Sequence, residues 1–503
     1  MSNIIVSDKL DSISKSFCLA KWNMVSLHLT NGKTHSCYHN PTHNIPLEGL
    51  QENPGLLHNT EQKVSERQAM REGHRPSGCS YCWKIEDSGH KSDRHYRADE
   101  WWNSPDFDMI SQGDMELDKS ITPAYVEVNF NQACNFKCMY CSPHLSTTWE
   151  DEIEKFGAYR FPDGMEHNNI PALERIGLMP IKTAQKDNPY VTAFWNWWPQ
   201  IYKNLKIFRM TGGEPLMDKN TFKVLDYVIE NPNSDLEISI TSNMSPPRQE
   251  LFDKFIDRVK KIEKIQVWND EEKINRHTNN HFFVSPACKY LTLYVSFDSV
   301  GKQAEYIRTG LDFDRMEQNV NIFLKESYNS NISIINTFTI LSIPKLKEFL
   351  QWVLDLREQY SYDNQKNIEL PVPDREGFKH PNYKKPKHQR IFFDIPILQH
   401  PDWFNIKLGS EFDFFKDKMQ EAITFMEENI SLGNFTGFEQ YEIDKLKRNY
   451  DHMMEPIGPD SRQRRKTNFI TFINERDMRR NTNFKEYFPE LEFFYDSLKA
   501  SIK

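Results

Sequence analysis

The run Cys134-Asn135-Phe136-Lys137-Cys138-Met139-Tyr140-Cys141 sets three cysteines at gaps of three and two residues, directly behind a strand-like stretch at 125–130. Three thiolates can hold three irons of a cubane cluster and leave the fourth open to a substrate or cofactor, which is a catalytic arrangement. A structural zinc site normally closes with four ligands, so a three-cysteine set suits zinc poorly. Farther on, the apolar-rich stretch 206–211 runs into Gly212-Gly213-Glu214-Pro215. Two glycines at a strand end let a ligand approach the backbone closely, because glycine lacks a Cβ and tolerates unusual dihedrals.

A second cysteine set lies near the N-terminus. Cys18 precedes the run Met24 to Leu29, Asn31-Gly32 follows, and Cys37 closes the next short run. Asparagine-glycine between two alternating runs signals a hairpin, because both turn residues must accept positive φ. The hairpin brings Cys18 near Cys37. After a predicted helix at 61–72, Cys79 and Cys82 supply a two-residue clasp, so four cysteines converge on a closed site that suits iron-sulfur or zinc. His28, His35, His39 and His43 crowd the hairpin and are read as surface or hydrogen-bonded side chains, since four cysteines already complete a tetrahedral set. Cys288 stands apart and reads as a buried apolar thiol.

The elements that must position these groups follow a repeating pattern. Strands are expected at 125–130, 206–211, 236–241, 290–297, 332–340 and 391–397, with helices at 220–230, 247–264, 314–325 and 345–358. Strands alternating with helices at this spacing indicate a parallel sheet with helical crossovers, hence an α/β fold. Ligands in such sheets gather at the carboxyl ends of the strands. Those ends carry Gly212, Gly213 and Glu214, then Ser242 and Asn243, then Ser296 and Asp298, with Arg308 shortly after.

The cysteine triplet with an aromatic residue before its last member, followed in order by Gly212-Gly213-Glu214-Pro215, resembles the signature of the radical S-adenosylmethionine (SAM) enzymes. The resemblance implies a partial (β/α)6 TIM-like barrel over 120–400 and a 4Fe-4S cluster held by Cys134, Cys138 and Cys141. It implies SAM bound beside Tyr140, with Gly212, Gly213 and Glu214 meeting its amino group. Ser242, Asn243, Ser296 and Arg308 would then meet its ribose or carboxylate, while Asp298 faces substrate. Reductive cleavage of SAM would yield a 5′-deoxyadenosyl radical that takes hydrogen from a substrate, with flavodoxin or ferredoxin as electron donor. The N-terminal set resembles the twitch module, a short form of the SPASM auxiliary-cluster domain, which implies an auxiliary iron-sulfur cluster at Cys18, Cys37, Cys79 and Cys82, with zinc as the alternative. Here the module precedes the barrel. Related enzymes modify peptides or proteins, so a peptide or protein substrate is expected ahead of a small molecule or nucleotide precursor. A metal scaffold without SAM chemistry is the reading from another class, and the intact glycine-glutamate motif opposes it.

The expected domains are a cysteine-rich module at 1–100, the barrel at 120–400 with an insertion at about 142–200, and a helical extension at 401–503. The insertion carries Trp195, Trp197 and Trp198, expected to pack a helix onto the barrel. The extension should hold helices at 411–429 and 440–454. A formal net charge of -9 gives no general pull toward nucleic acid. Lys384, Lys385, Lys387, His388 and Arg390 form one basic run and Arg462, Arg464, Arg465 and Lys466 another, both expected as solvated loops. Mean hydropathy of -0.71 and the lack of a long apolar run argue against a membrane span. The first residues lack the features of a secretory signal, and most cysteines fall into local sets that suit a reducing compartment, so a cytoplasmic protein is expected.

Overall fold

Strand β1, Met24–His28, buries its first four residues, and β4, Tyr125–Asn129, buries four of five. Strands covered on both faces are what a parallel sheet between helices demands. The structure, a computed structural model, describes residues 5–181, 187–263, 265–267, 282–284, 287–327, 330–361, 389–432 and 435–502. Its fold is mixed α/β with a large, mainly parallel sheet, as a TIM-like fold requires. The chain forms two compact units, each assembled from three separate segments.

The first unit takes Met1–Ala133, Pro171–Thr241 and Lys264–Leu291. Here β1 turns back antiparallel into β2, Lys33–His35, and β2 pairs with the two-residue β3, His43–Asn44. On its other side β1 runs parallel to β4, with Met24 opposite Tyr125 and His28 opposite Asn129. The hairpin therefore extends the main sheet at its edge. Beyond β4 lie β5, Ile207–Thr211, and β6, Asn233–Ser242, both parallel. Helix Glu61–Arg71 starts at Thr60, whose side chain accepts from the Lys63 amide, a cap contributing about 1 kcal/mol. Its buried face carries Lys63 and Arg67, whose side chains donate to the Met24 and Lys21 carbonyls and fix the helix beside the entry to β1. Helix Pro189–Ile201 buries Trp197 and Trp198, and Trp198 meets Phe208 of β5 edge to face at 4.7 Å. This is the packing expected of the insertion's tryptophans. Cys288 is fully buried.

The second unit takes Cys134–Ile170, Ser242–Glu263 and Thr292–Lys503. Strands β7, Cys288–Ser296, β8, Asn331–Ile335, and β9, Ile391–Asp394, run parallel in that order. The strand expected at 332–340 ends early because the Thr337 amide donates to the Asp298 carboxylate instead of a neighbouring strand. Pairing resumes only as an isolated bridge between Phe338 and Ile397, so the run expected to 397 is shortened as well. Helices Gln249–Ile262, Phe313–Glu326 and Leu346–Tyr360 each bury one apolar face.

The C-terminal part contains helices Asp413–Glu428, Gln440–Met454, Pro459–Arg480 and Glu492–Ala500. The third corrects the sequence reading, since Arg462, Arg464, Arg465 and Lys466 lie on a helix and pair with Asp402 and Glu411. Its apolar residues cluster around Phe469 to Ile473, too local to give a periodic signal over 22 residues. Arg390 is also corrected: it is wholly buried and donates to the carbonyls of Leu324, Ser327 and Ser330. Lys384, Lys385, Lys387 and His388 lie outside the described residues. Among the described residues no helix is long and apolar enough to cross a membrane.

Candidate functional sites

The three-cysteine loop belongs to the second unit. Lys137–Cys138 forms a short antiparallel ladder with Arg308–Thr309, in which Arg308 stands opposite Cys138. That register brings Arg308 Nη1 to 3.6 Å from Cys138 Sγ, the guanidinium donating. The same guanidinium grips Asp298 through Nε at 2.9 Å and Nη2 at 3.0 Å. Asp298 also accepts from the Tyr140 hydroxyl at 2.8 Å and the Thr337 amide at 2.9 Å. Buried ion pairs persist only where hydrogen bonds satisfy both members, and this one is well satisfied. Burial works against the charge on Arg308, but Asp298, Tyr140 and Cys138 more than offset it and hold its pKa well above the usual value. Asp298 is thus a buried counter-ion here, where the sequence left it for a substrate. Arg308, expected to meet the carboxylate of SAM, has Asp298 as its carboxylate partner.

Burial raises the Cys138 thiol pKa against the pull of Arg308. Burial and the neighbouring Cys138 push Cys141 up to about 12. The Phe136 amide donates to Cys134 Sγ at 3.4 Å. The loop's three thiols, one facing a buried cation and one a backbone N–H, suit the anionic sulfurs of an iron-sulfur cluster. The loop backbone is fixed from several directions: Trp149 Nε1 donates to the Cys138 carbonyl at 2.8 Å and Asn168 to that of Cys141 at 3.1 Å. Asn135, which sequence reasoning passed over, receives Asn243 Nδ2 at 3.0 Å and donates to the Ser245 carbonyl at 2.8 Å. Ser242 Oγ accepts from the Met244 amide, so Ser242 and Asn243 shape the turn after β6. Ser296 is half-buried at the end of β7, opposite Ile335.

Gly212, Gly213 and Glu214 belong to the first unit. A Cβ on Gly212, whose φ is +122°, would stand 2.4 Å from Asn129 Oδ1, and one on Gly213 would stand 2.3 Å from the Ala133 carbonyl oxygen. Only glycine allows so close an approach. The Glu214 amide donates to that same Ala133 carbonyl at 2.7 Å. Its buried carboxylate accepts from the Leu216 amide at 2.9 Å and caps the short turn Pro215–Met217.

The N-terminal cysteines also lie in the first unit, and all four line one cavity. Cys18 and Cys37 flank the hairpin and Cys79 and Cys82 sit at the start of helix Ser80–Asp87, with Lys21, His39, Asn40, Trp83 and Arg94 among the other residues that line the cavity. Burial and the other thiols push Cys18 up to about 12, while burial takes Cys79 to about 11 against the pull of Lys21. Sulfurs that raise each other's pKa are suited to a cationic centre that neutralises them together. The hairpin histidines have other partners: His35 meets His28 at 3.0 Å, His39 meets Asp93 at 2.9 Å, and His43 meets Thr60 at 2.8 Å. Among the described residues, in either cysteine set or elsewhere, no group of three or more His, Cys, Asp or Glu side chains is arranged to hold a metal ion.

Over 129 residues, 26% of the chain and 30% of the relative, the sequence is 25% identical to a GTP 3′,8-cyclase of Campylobacter lari. Two GTP 3′,8-cyclases of Campylobacter jejuni strains are each 24% identical over 119 residues, 24% of the chain and 27% of those enzymes. The similarity thus spans less than a third of these curated relatives. No family model and no solved structure matches the chain.

Proposed function

We propose that the protein is a radical SAM enzyme with a partial (β/α)6 barrel. The observation that carries this reading is the cysteine triplet, with Arg308 against one of its sulfurs, followed in order by the Gly212-Gly213-Glu214 turn. A 4Fe-4S cluster and SAM, when bound, supply one-electron cleavage of the sulfonium and hydrogen abstraction. Cys134, Cys138 and Cys141 hold the cluster. Gly212 and Gly213 leave room for the methionine end of SAM, Glu214 meets its ammonium, and Tyr140, Ser242, Asn243 and Ser296 line the rest. Cys18, Cys37, Cys79 and Cys82 hold an auxiliary iron-sulfur cluster. The setting is cytoplasmic, with flavodoxin or ferredoxin as electron donor.

Two substrate classes have separate support. The resemblance of the N-terminal set to the twitch module favours a peptide or protein. The similarity to enzymes named as cyclases of GTP supports a nucleotide as an equal alternative. Incubating the anaerobically reconstituted, reduced enzyme with SAM and deuterated peptide, nucleotide and small-molecule pools decides between them, since 5′-deoxyadenosine acquires deuterium only from the true substrate class. The Cys134/Cys138/Cys141 triple alanine variant should lose all SAM cleavage; persistent 5′-deoxyadenosine from it would refute the assignment. That variant should also retain iron, sulfide and a reducible chromophore from the auxiliary centre. Tightly held zinc in a colourless protein would replace the auxiliary cluster with a zinc staple.

A further inference from the structure

The donors around Cys138 do more than satisfy a buried carboxylate. Asp298 occupies one edge of the Arg308 guanidinium through Nε and Nη2, and Nη1 on the opposite side is directed to Cys138 Sγ. Arg308 and Asp298 are 5% and 0% exposed, so their charges act through protein rather than water. The Tyr140 hydroxyl and the Thr337 amide hold the carboxylate, and the guanidinium carbon lies 5.4 Å from the centre of the Tyr140 ring. The ladder register between Arg308 and Cys138 fixes the backbone from which the donor reaches. A simple structural ion pair would not need a third donor aimed at sulfur.

We propose that Arg308, clamped by Asp298 and Tyr140, is a positioning residue that raises the reduction potential of the cluster held by Cys134, Cys138 and Cys141. This rests on reading those cysteines as cluster ligands. Reduction adds one negative charge to the cluster and its sulfurs. A cationic N–H donor at one ligand sulfur stabilises that charge more than it stabilises the oxidised form, so it favours electron uptake. Asp298 offsets part of the positive charge from the far edge while the N–H stays directed at sulfur.

The test is a redox titration of full-length, reconstituted protein followed by electron paramagnetic resonance. The barrel cluster is identified as the signal that changes shape when SAM is added. Arg308→Gln combined with Asp298→Asn keeps the pair neutral and hydrogen-bonded while removing the charged donor. Its reduction equilibrium should shift at least tenfold toward the oxidised form, a fall of about 59 mV for one electron. Arg308→Lys, which retains the charge, should recover part of that shift. Tyr140→Phe removes one clamp hydroxyl and no charge; it should shift the same way by a smaller amount and serves if the double variant does not fold. Unmoved potentials in protein with the wild-type iron content would overturn the proposal. If SAM affinity fell at the same time, Arg308 would belong to the SAM carboxylate instead. A wild-type protein with no SAM-sensitive signal would remove the cluster reading itself and the proposal with it.

Discussion

Glu214 is held by the fold and, in the proposed function, also meets a ligand. One carboxylate oxygen receives the Leu216 amide, and the backbone N–H is fixed on Ala133, so the side chain is oriented before any ligand arrives. An amide oxygen can still accept from Leu216. Glu214→Gln should therefore keep the turn and the proposed cluster but lose the charge proposed to meet the SAM ammonium. A charge-assisted hydrogen bond contributes about 1.5–3 kcal/mol, so SAM affinity should fall roughly ten- to hundredfold with iron content unchanged. Equilibrium binding of SAM to the anaerobic protein measures it, and unaltered affinity would assign Glu214 a structural role alone.

Among the elements, helix Pro459–Arg480 has an unexpected part in shaping the cysteine loop. Arg480 donates to Glu152 at 2.9 and 3.2 Å, to the Lys137 carbonyl at 2.9 Å and to Thr309 Oγ1 at 2.9 Å. It thereby joins helix Thr147–Phe156 to both strands of the ladder that carries Cys138 and Arg308. Burial opposes the charge on Glu152, but Arg480 and Lys137 outweigh it and lower its pKa to about 2. A carboxylate depressed in this way stabilises the fold above its unfolded value, and the contribution is lost as pH falls from about 4.5 toward 2. Arg480→Ala leaves Glu152 buried with Lys137 as its remaining cation and should cost about 3 kcal/mol at neutral pH. Denaturant unfolding at pH 7 and pH 3 tests this, because the difference between variant and wild type should shrink at the lower pH. An equal difference at both would mean that the loss comes from packing and not from the ion pair.

At the scale of the whole molecule, both compact units are discontinuous in sequence. Strand β1 from the N-terminal segment pairs along the length of β4, while Arg480 from the C-terminal segment holds Glu152. A fragment of 120–400 would lose both, exposing a full strand edge and leaving the buried Glu152 carboxylate with Lys137 alone as its cation. It should fail to give a cooperative thermal transition although it spans every strand of the expected barrel. A cooperative melt from that fragment would show that the barrel is an independent domain.

The sequence by itself determined the local features. Asn31-Gly32 marked the hairpin, apolar or alternating runs marked β4 to β7, and apolar periodicity marked the helices expected at 220–230, 247–264, 314–325 and 345–358, which form within a few residues of those bounds, because each signal lies within a few turns of chain. It also marked the two cysteine sets and the glycine turn, whose spacing is itself the chemistry. It did not reveal the parallel pairing of β1 with β4, whose register Met24 to Tyr125 joins residues 101 positions apart. Nor did it reveal the commitment of Asp298 to Arg308, Tyr140 and Thr337, or the reach of Arg480 across 328 residues to Glu152. Those partners have no spacing rule to betray them. Burial leaves each charged group with few available counter-ions, and only the tertiary fold decides which one is within reach.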